Sequence, residues 1–386
     1  YAAVSSGDEG FMFAFKGLAG AYPGAFASMP YYLKVAEYND IENRDVWEYQ
    51  LNLPQPEIER ILQHVWELGP IRFDYYFFDE NCAYHLLSLL DVARPLLQLT
   101  DQFVWSAIPS DTVRAVTQTP GLLKRVTYRA SNATTIEQRA ARLMPAELQM
   151  VEALARGGLS PSDMVVSQLP GERRAEVLEL ADQYLTYLQR PEGIGDQVAL
   201  PRSRQLLLAR STAPSLEVPP VAAPKVRPDQ GHLSARLQLG AGMDDNRAVG
   251  ELRLRPAYHD LLDPEPGFNR GAALQFFDLA VRQTAGQGLR LQYFNPVDIQ
   301  SLTPRNALLG GKSWRVQLGL NQYRGLLQAE DHLIAQVSGG PGLAWDWQSR
   351  VLSYAFLDNR LMTGHSLDQG YALGIGASLG SLVDLR

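Results

Sequence analysis

Cysteine is almost absent: Cys82 is the one cysteine among 386 residues. An intramolecular disulfide is therefore impossible, and a zinc cluster built from several cysteines of one chain is excluded. Histidine is scarce as well, and before residue 231 only His64 and His85 occur. Long apolar runs are missing; none reaches the ~18 residues that a membrane helix needs. Positive charge is not in excess. Lys and Arg number 35 against 42 Asp and Glu, which leaves a net charge of −7. A nucleic-acid partner, usually met by a basic stripe, is not expected. No basic-then-apolar signal segment opens the chain. It begins at Tyr1 in a stretch that reads as the middle of a fold, so an N-terminal piece is expected to precede it. The composition, 46% hydrophobic and 20% charged, is that of a folded protein, and the length allows two or three domains.

Residues 1–100 mix strand and helix signals. From Asp45 to Leu53, Trp47, Tyr49, Leu51 and Leu53 alternate with Glu48, Gln50 and Asn52, the pattern of a half-buried strand. Pro54-Gln55-Pro56 opens a helix in which Ile58, Ile61, Leu62, Val65 and Leu68 recur at helical spacing, and Gly69-Pro70 stops it. Ile71 to Phe78 is strand-like again. A second helix is predicted from about Cys82 to Ala93, with Leu86, Leu89, Leu90 and Ala93 as its apolar stripe. Residues 101–212 read as mainly helical. Prolines at 214, 219, 220, 224 and 228 then mark an extended linker over 213–230.

From residue 231 the period changes to two. Trp314, Val316, Leu318 and Leu320 alternate with Arg315, Gln317 and Gly319; Tyr371, Leu373, Ile375, Ala377 and Leu379 alternate with small residues; Leu289, Leu291 and Tyr293 alternate with Arg290 and Gln292. Residues 231–386 are thus expected to form an antiparallel all-β domain. A soluble sandwich would hide the apolar face in a core. An outer-membrane β-barrel would turn it to lipid and line its lumen with the Arg, Gln and Gly. The barrel, cut short in this sequence, is the architecture we expect.

The chemistry centres on Asp79-Glu80-Asn81-Cys82-Ala83-Tyr84-His85. Asn81 is a favoured N-cap, which puts Cys82 at the first helical position. Unpaired backbone N–H groups and the positive end of the helix dipole stabilise a thiolate there, and the same N–H groups can hold a tetrahedral oxyanion. Papain-like thiol enzymes use this arrangement. A thiol nucleophile needs a base. His85, three residues on, is expected to support or pack rather than to act as the base; His64, on the polar side of the preceding helix, could approach the site but reads more simply as a surface histidine. Glu80 and Tyr76 complete the candidate surroundings. The later histidines lie at no ligand spacing, so neither metal nor cofactor is expected.

Gly20 to Pro95 resembles the Lnb N-terminal periplasmic domain family. The pieces that carry the resemblance are Met29-Pro30-Tyr31-Tyr32, Glu37-Tyr38-Asn39, Arg44-Asp45-Val46-Trp47-Glu48-Tyr49, Trp66-Glu67-Leu68 and Tyr76-Phe77-Phe78-Asp79-Glu80-Asn81-Cys82. The resemblance implies a circularly permuted papain-like core with Cys82 as nucleophile and Asn81 as its preceding asparagine. It also implies a catalytic histidine in a Gly-His segment upstream, and none stands before Cys82 here. The family's namesake is a bacterial lipoprotein N-acyltransferase. The implied reading is a cysteine acyltransferase or hydrolase of the periplasm or outer membrane. It would work on a lipid, lipoprotein or peptide through a Cys82 thioester, with membrane contact through the β domain. The competing reading is a non-catalytic envelope binding or assembly module anchored by the barrel.

Overall fold

The computed structural model describes residues 1–4, 16–17, 20–189, 194–215, 219–244, 246–323 and 332–384. The chain is α+β, with a large antiparallel sheet of nine strands in its C-terminal part.

In the first third, β1 (Ala2–Ala3) and β2 (Tyr22–Ala25) precede a short helix α1 (Tyr31–Ala36). β3 (Val46–Leu51), α2 (Gln55–Leu68), β4 (Phe73–Tyr75), α3 (Cys82–Ala93), α4 (Pro109–Gln118) and β5 (Leu123–Arg129) follow. The sheets here are small: β1-β2-β4 and β3-β5. The strand expected over 71–78 is only Phe73–Tyr75. Its partner β2 offers three paired positions, and beyond them the Phe77 N–H turns to the Gly17 carbonyl. Strand β5 was not foreseen. It pairs antiparallel with β3, Val46 opposite Arg129 and Tyr49 opposite Val126.

Much of the motif content ahead of the cysteine is structural clamping around that pair. Asn39 donates to the carbonyls of Arg129 and Ala130. Asp45 accepts from Tyr128 Oη, Ser131 N and Thr134 Oγ1, and Glu48 pairs with Arg129.

The helical region comprises α5 (Asn132–Ala140), α6 (Pro145–Arg156), α7 (Met164–Ser167), α8 (Gly171–Leu188) and α9 (Asp196–Ser211). Its core gathers Ile136, Val151, Leu154, Val177, Leu178, Tyr184 and Leu185, all at most 1% exposed. Leu308 and Leu309, from a loop of the C-terminal sheet, complete this core, and Tyr184 Oη donates to the Leu308 carbonyl at 2.7 Å. The helices are thereby seated on the sheet.

That sheet runs β6 (Arg236–Asp244), β7 (Arg247–Arg255), β8 (Ala257–His259), β9 (Ala272–Thr284), β10 (Leu289–Ser301), β11 (Ser313–Tyr323), β12 (His332–Trp347), β13 (Val351–Thr363) and β14 (Tyr371–Val383). Neighbours in sequence are neighbours in space, an up-and-down meander, with β8 pairing only part of β9. Among the described residues β6 and β14 do not pair, so no closed barrel is present.

The two faces differ in kind. One carries Leu237, Leu239, Trp314, Val337, Leu357, Leu361, Leu373, Ile375 and Leu379, exposed to the surroundings. The other carries a hydrogen-bonded polar layer. Arg253 grips Asp278 through two bonds of 3.0 and 2.7 Å, Arg315 grips Asp358 at 2.8 and 2.6 Å, and Gln317 joins Gln336 to Asp298. Arg315 also reaches Ser378 Oγ at 2.7 Å. β11 and β14 are three strands apart, about 14 Å in a flat sheet, so the sheet is curled and its polar face is the concave one. The alternation fails at Tyr293. A register shift between Leu291 and Tyr293 turns that ring to the concave side, where Arg253 lies 5.6 Å over it.

Candidate functional site

Helix α3 begins where the sequence places it. Asn81 adopts an extended backbone, φ −90° and ψ −175°, and its Oδ1 accepts from the N–H groups of Ala83 (2.9 Å) and Tyr84 (3.1 Å). Its Nδ2 donates to the carbonyls of Phe77 (3.0 Å) and Ala107 (2.7 Å). Only 2% of this side chain's residue is exposed. Asn81 is therefore a bridge as well as a cap: it ties the loop before the helix to the segment that leads into α4. The Cys82 side chain stays exposed beside it.

Occupation of the cap alters the expected oxyanion arrangement. Two helix-start N–H groups are already bonded to Asn81. Tyr75, on β4, is the neighbour whose phenol feels a charge on Cys82. Burial, and then the charge of a Cys82 thiolate, push the Tyr75 phenol up to about 12. It is thus a neutral donor at pH 7. Tyr75 was legible only as one aromatic of a strand face; its spacing seven residues before the cysteine carries no local signal.

His85 lies one turn past Cys82 and is 8% exposed. Its ring sits among Tyr1 (4.1 Å), Phe73 (5.2 Å) and Phe26 (5.9 Å), and Nε2 has no hydrogen-bond partner. Burial holds it below the ordinary histidine range. Among the described residues no hydrogen bond joins this ring to Cys82. His64, on α2, faces Glu67 of its own helix at 3.4 Å, and among the described residues no hydrogen bond or ring contact brings it to the cysteine. Glu80 is exposed at the loop, and its charge helps to raise the Tyr1 and Tyr84 phenols after burial. Tyr76 packs over Gly20, whose φ of +69° and closeness to the ring, 2.2 Å from a would-be Cβ, leave no room for a side chain.

The apolar stripe of α3 buries Leu89, Leu90 and Ala93 as expected, with Leu87 in place of Leu86. Leu87 and Leu90 face the cluster of Leu99, Val116 and Leu122. Leu86, ~100° around the helix from Leu87, is 57% exposed on the side of Cys82, one turn away. Phe78 packs against Phe276 and Phe277 of β9, at 4.7 and 5.3 Å between ring centres. The cysteine loop therefore touches the large sheet directly.

Residues 1–119 match the family model of the Lnb N-terminal periplasmic domain. The Asn-Cys helix start lies inside that match, which supports a periplasmic or cell-envelope location. Residues 126–221 match a domain of unknown function, DUF7842, and residues 225–386 match another, DUF7840. Comparison with curated proteins and with solved structures returns no match.

Proposed function

We propose that this protein is a cell-envelope cysteine acyltransferase or hydrolase on a permuted papain-like core. Cys82 is its nucleophile, and an outer-membrane β-barrel formed by the C-terminal sheet is its anchor. The observation that carries the enzyme reading is the exposed thiol of Cys82 at a capped helix start, near a phenol that remains protonated at neutral pH. In the first step the Cys82 sulfur attacks an acyl carbonyl. The C–S bond forms, the thiol proton passes to a base, and the ester C–O bond breaks as the alcohol leaves with a proton. In this reading the Cys82 N–H and the Tyr75 hydroxyl are the donors offered to the developing negative charge. Leu86 offers an apolar surface one turn from the sulfur, which suits an acyl chain. An amine that captures the thioester makes the protein a transferase; water makes it a hydrolase.

The barrel reading is supported by the polarity of the two faces. A soluble sandwich buries its apolar face, whereas here that face is outward and the concave side is polar, the distribution of a lipid-facing barrel. Direct packing of Phe78 on β9 would hold the cysteine close to the membrane surface, where acylated substrates reside.

The test is incubation of the protein in detergent with a diacylated lipid or an activated ester, followed by intact-mass spectrometry. An added acyl mass that hydroxylamine removes is expected. Subsequent addition of an amine acceptor distinguishes amide from free acid as product. No adduct with any acyl donor, on protein that alkylates normally at Cys82, would exclude the reading.

A further inference from the structure

We propose that His232, His259 and Asp263 form a binding site for one zinc-like divalent cation where the linker meets the sheet. His232 lies between the linker and β6, His259 ends β8, and Asp263 lies in the turn that follows. The His232 Nε2 and His259 Nδ1 atoms are hydrogen-bonded at 2.8 Å, and the ion would take the place of the one proton between them; Asp263 Oδ2 is 3.7 Å from the same His232 nitrogen. One ligand atom from each residue lies within 4.8 Å of the others. Ligand atoms on a tetrahedral zinc ion stand ~3.3 Å apart, given bonds of ~2.0–2.1 Å, so the histidine pair at 2.8 Å must open slightly and the widest pair, up to 4.8 Å, must close on the ion.

Three features preform the cluster. First, the tautomer of His232 is fixed. Its Nδ1 is 2.7 Å from the Leu233 carbonyl, which can only accept. Nδ1 therefore carries the proton and Nε2 offers its lone pair to the cluster, the outer-sphere arrangement that zinc-ligating histidines show. Second, both imidazoles stack on Phe268 at 4.2 Å, tilted by 22° and 3°, which fixes their ring planes. Third, the backbone is pinned: Arg114 donates to the Gly231 and His232 carbonyls, and Asp263 Oδ2 accepts the Asp260 N–H at 2.9 Å.

The surrounding charge selects the class of ion. Asp263 is shared with Arg236 on Oδ1 and Arg255 on Oδ2, the latter at 2.5 Å. One carboxylate so engaged is a poor host for calcium or magnesium, which require several oxygen ligands. Two neutral imidazoles suit a borderline ion such as Zn²⁺. Arg255 is 1% exposed, and its Nε and Nη2 have no acceptor beside this carboxylate. A water on the fourth coordination position is the kind of partner that such a buried donor requires.

The full chain carrying Cys82→Ser, to remove thiolate binding, is stripped with chelator and titrated with Zn²⁺ by calorimetry. One ion per chain is expected. His232→Gln and His259→Gln should each weaken that binding by more than about 100-fold, beyond the ~10–100-fold cost of losing an outer partner, while His332→Gln leaves it unchanged. Cobalt bound to the chain with all its histidines intact should give a visible d–d band that zinc abolishes, which reads the site without disturbing its fold. Absence of saturable zinc binding and of a cobalt band, or binding that both glutamine variants retain, would overturn the proposal.

Discussion

Replacing Asn81 with alanine should unfasten two things at once, and the magnitudes separate them. The cap alone, Oδ1 accepting from Ala83 and Tyr84, is worth about 0.5–2 kcal/mol. The Nδ2 group also satisfies the carbonyls of Phe77 and Ala107 at a nearly inaccessible position. Leaving one such buried acceptor unpaired costs about 1–3 kcal/mol. Together, a loss of about 1.5–5 kcal/mol is expected for Asn81→Ala. Asn81→Asp discriminates the two parts. The carboxylate keeps the cap and suits the helix dipole, but it cannot donate, and it faces two carbonyl oxygens. It should still cost at least about 1 kcal/mol. The assay is native-state hydrogen exchange, read at the amides of Cys82–Ala93 and of residues 103–107, so that opening of this unit is separated from the rest of a multidomain chain. Loss of protection should appear in both segments. Asn81→Ala within about 0.5 kcal/mol of wild type, or an aspartate variant with full protection, would refute the bridging role.

Tyr75→Phe should slow alkylation of Cys82 several-fold, the change that a hydrogen bond of ~0.5–1.5 kcal/mol produces; an unchanged rate would remove Tyr75 from the site. His85 is held below the ordinary histidine range by burial. The unfolded chain therefore takes up protons more readily, so stability is full above about pH 6.5 and falls as pH drops below it, towards the lower folded value. His85→Phe should flatten that acid limb in denaturant titrations at several pH values. Leu379→Arg and Ile375→Arg test the barrel: both positions are more than four-fifths exposed. In water such changes should be near neutral, within about 0.5 kcal/mol. On a lipid face each should cost ~2–4 kcal/mol near the bilayer midplane, measured by refolding into bilayers.

What was legible in the sequence follows from how local each determinant is. The bounds of Cys82–Ala93 could be read because Asn81 and Arg94-Pro95 act on adjacent residues. The alternation in Trp314–Leu320 and Tyr371–Leu379 survives in the sheet because each pairs in register over its length. β5 was missed because its alternation is short, Val126 and Tyr128 between Arg125, Thr127 and Arg129, and it becomes a strand through a partner some 80 residues earlier. Tyr293 changed face because a bulge adds a residue that periodicity does not reveal. His232 and His259 are 27 residues apart and flank the β6–β7 hairpin, whose antiparallel pairing of Arg236 with Arg255 brings them together, so no ligand spacing announces them. Tyr75 meets Cys82 for the same reason: the contact belongs to the strand–loop–helix geometry and not to either segment alone.

The central claim, an acyl group carried on one particular sulfur, is tested most directly by peptide-resolved mass spectrometry after exposure of detergent-solubilised protein to an acyl donor. A hydroxylamine-sensitive acyl mass on the peptide containing Asn81-Cys82, lost in Cys82→Ala, is the result expected. Equal acylation of wild type and Cys82→Ala, or an adduct that maps to another residue, would contradict it and favour an envelope binding module in which Cys82 takes no chemical part.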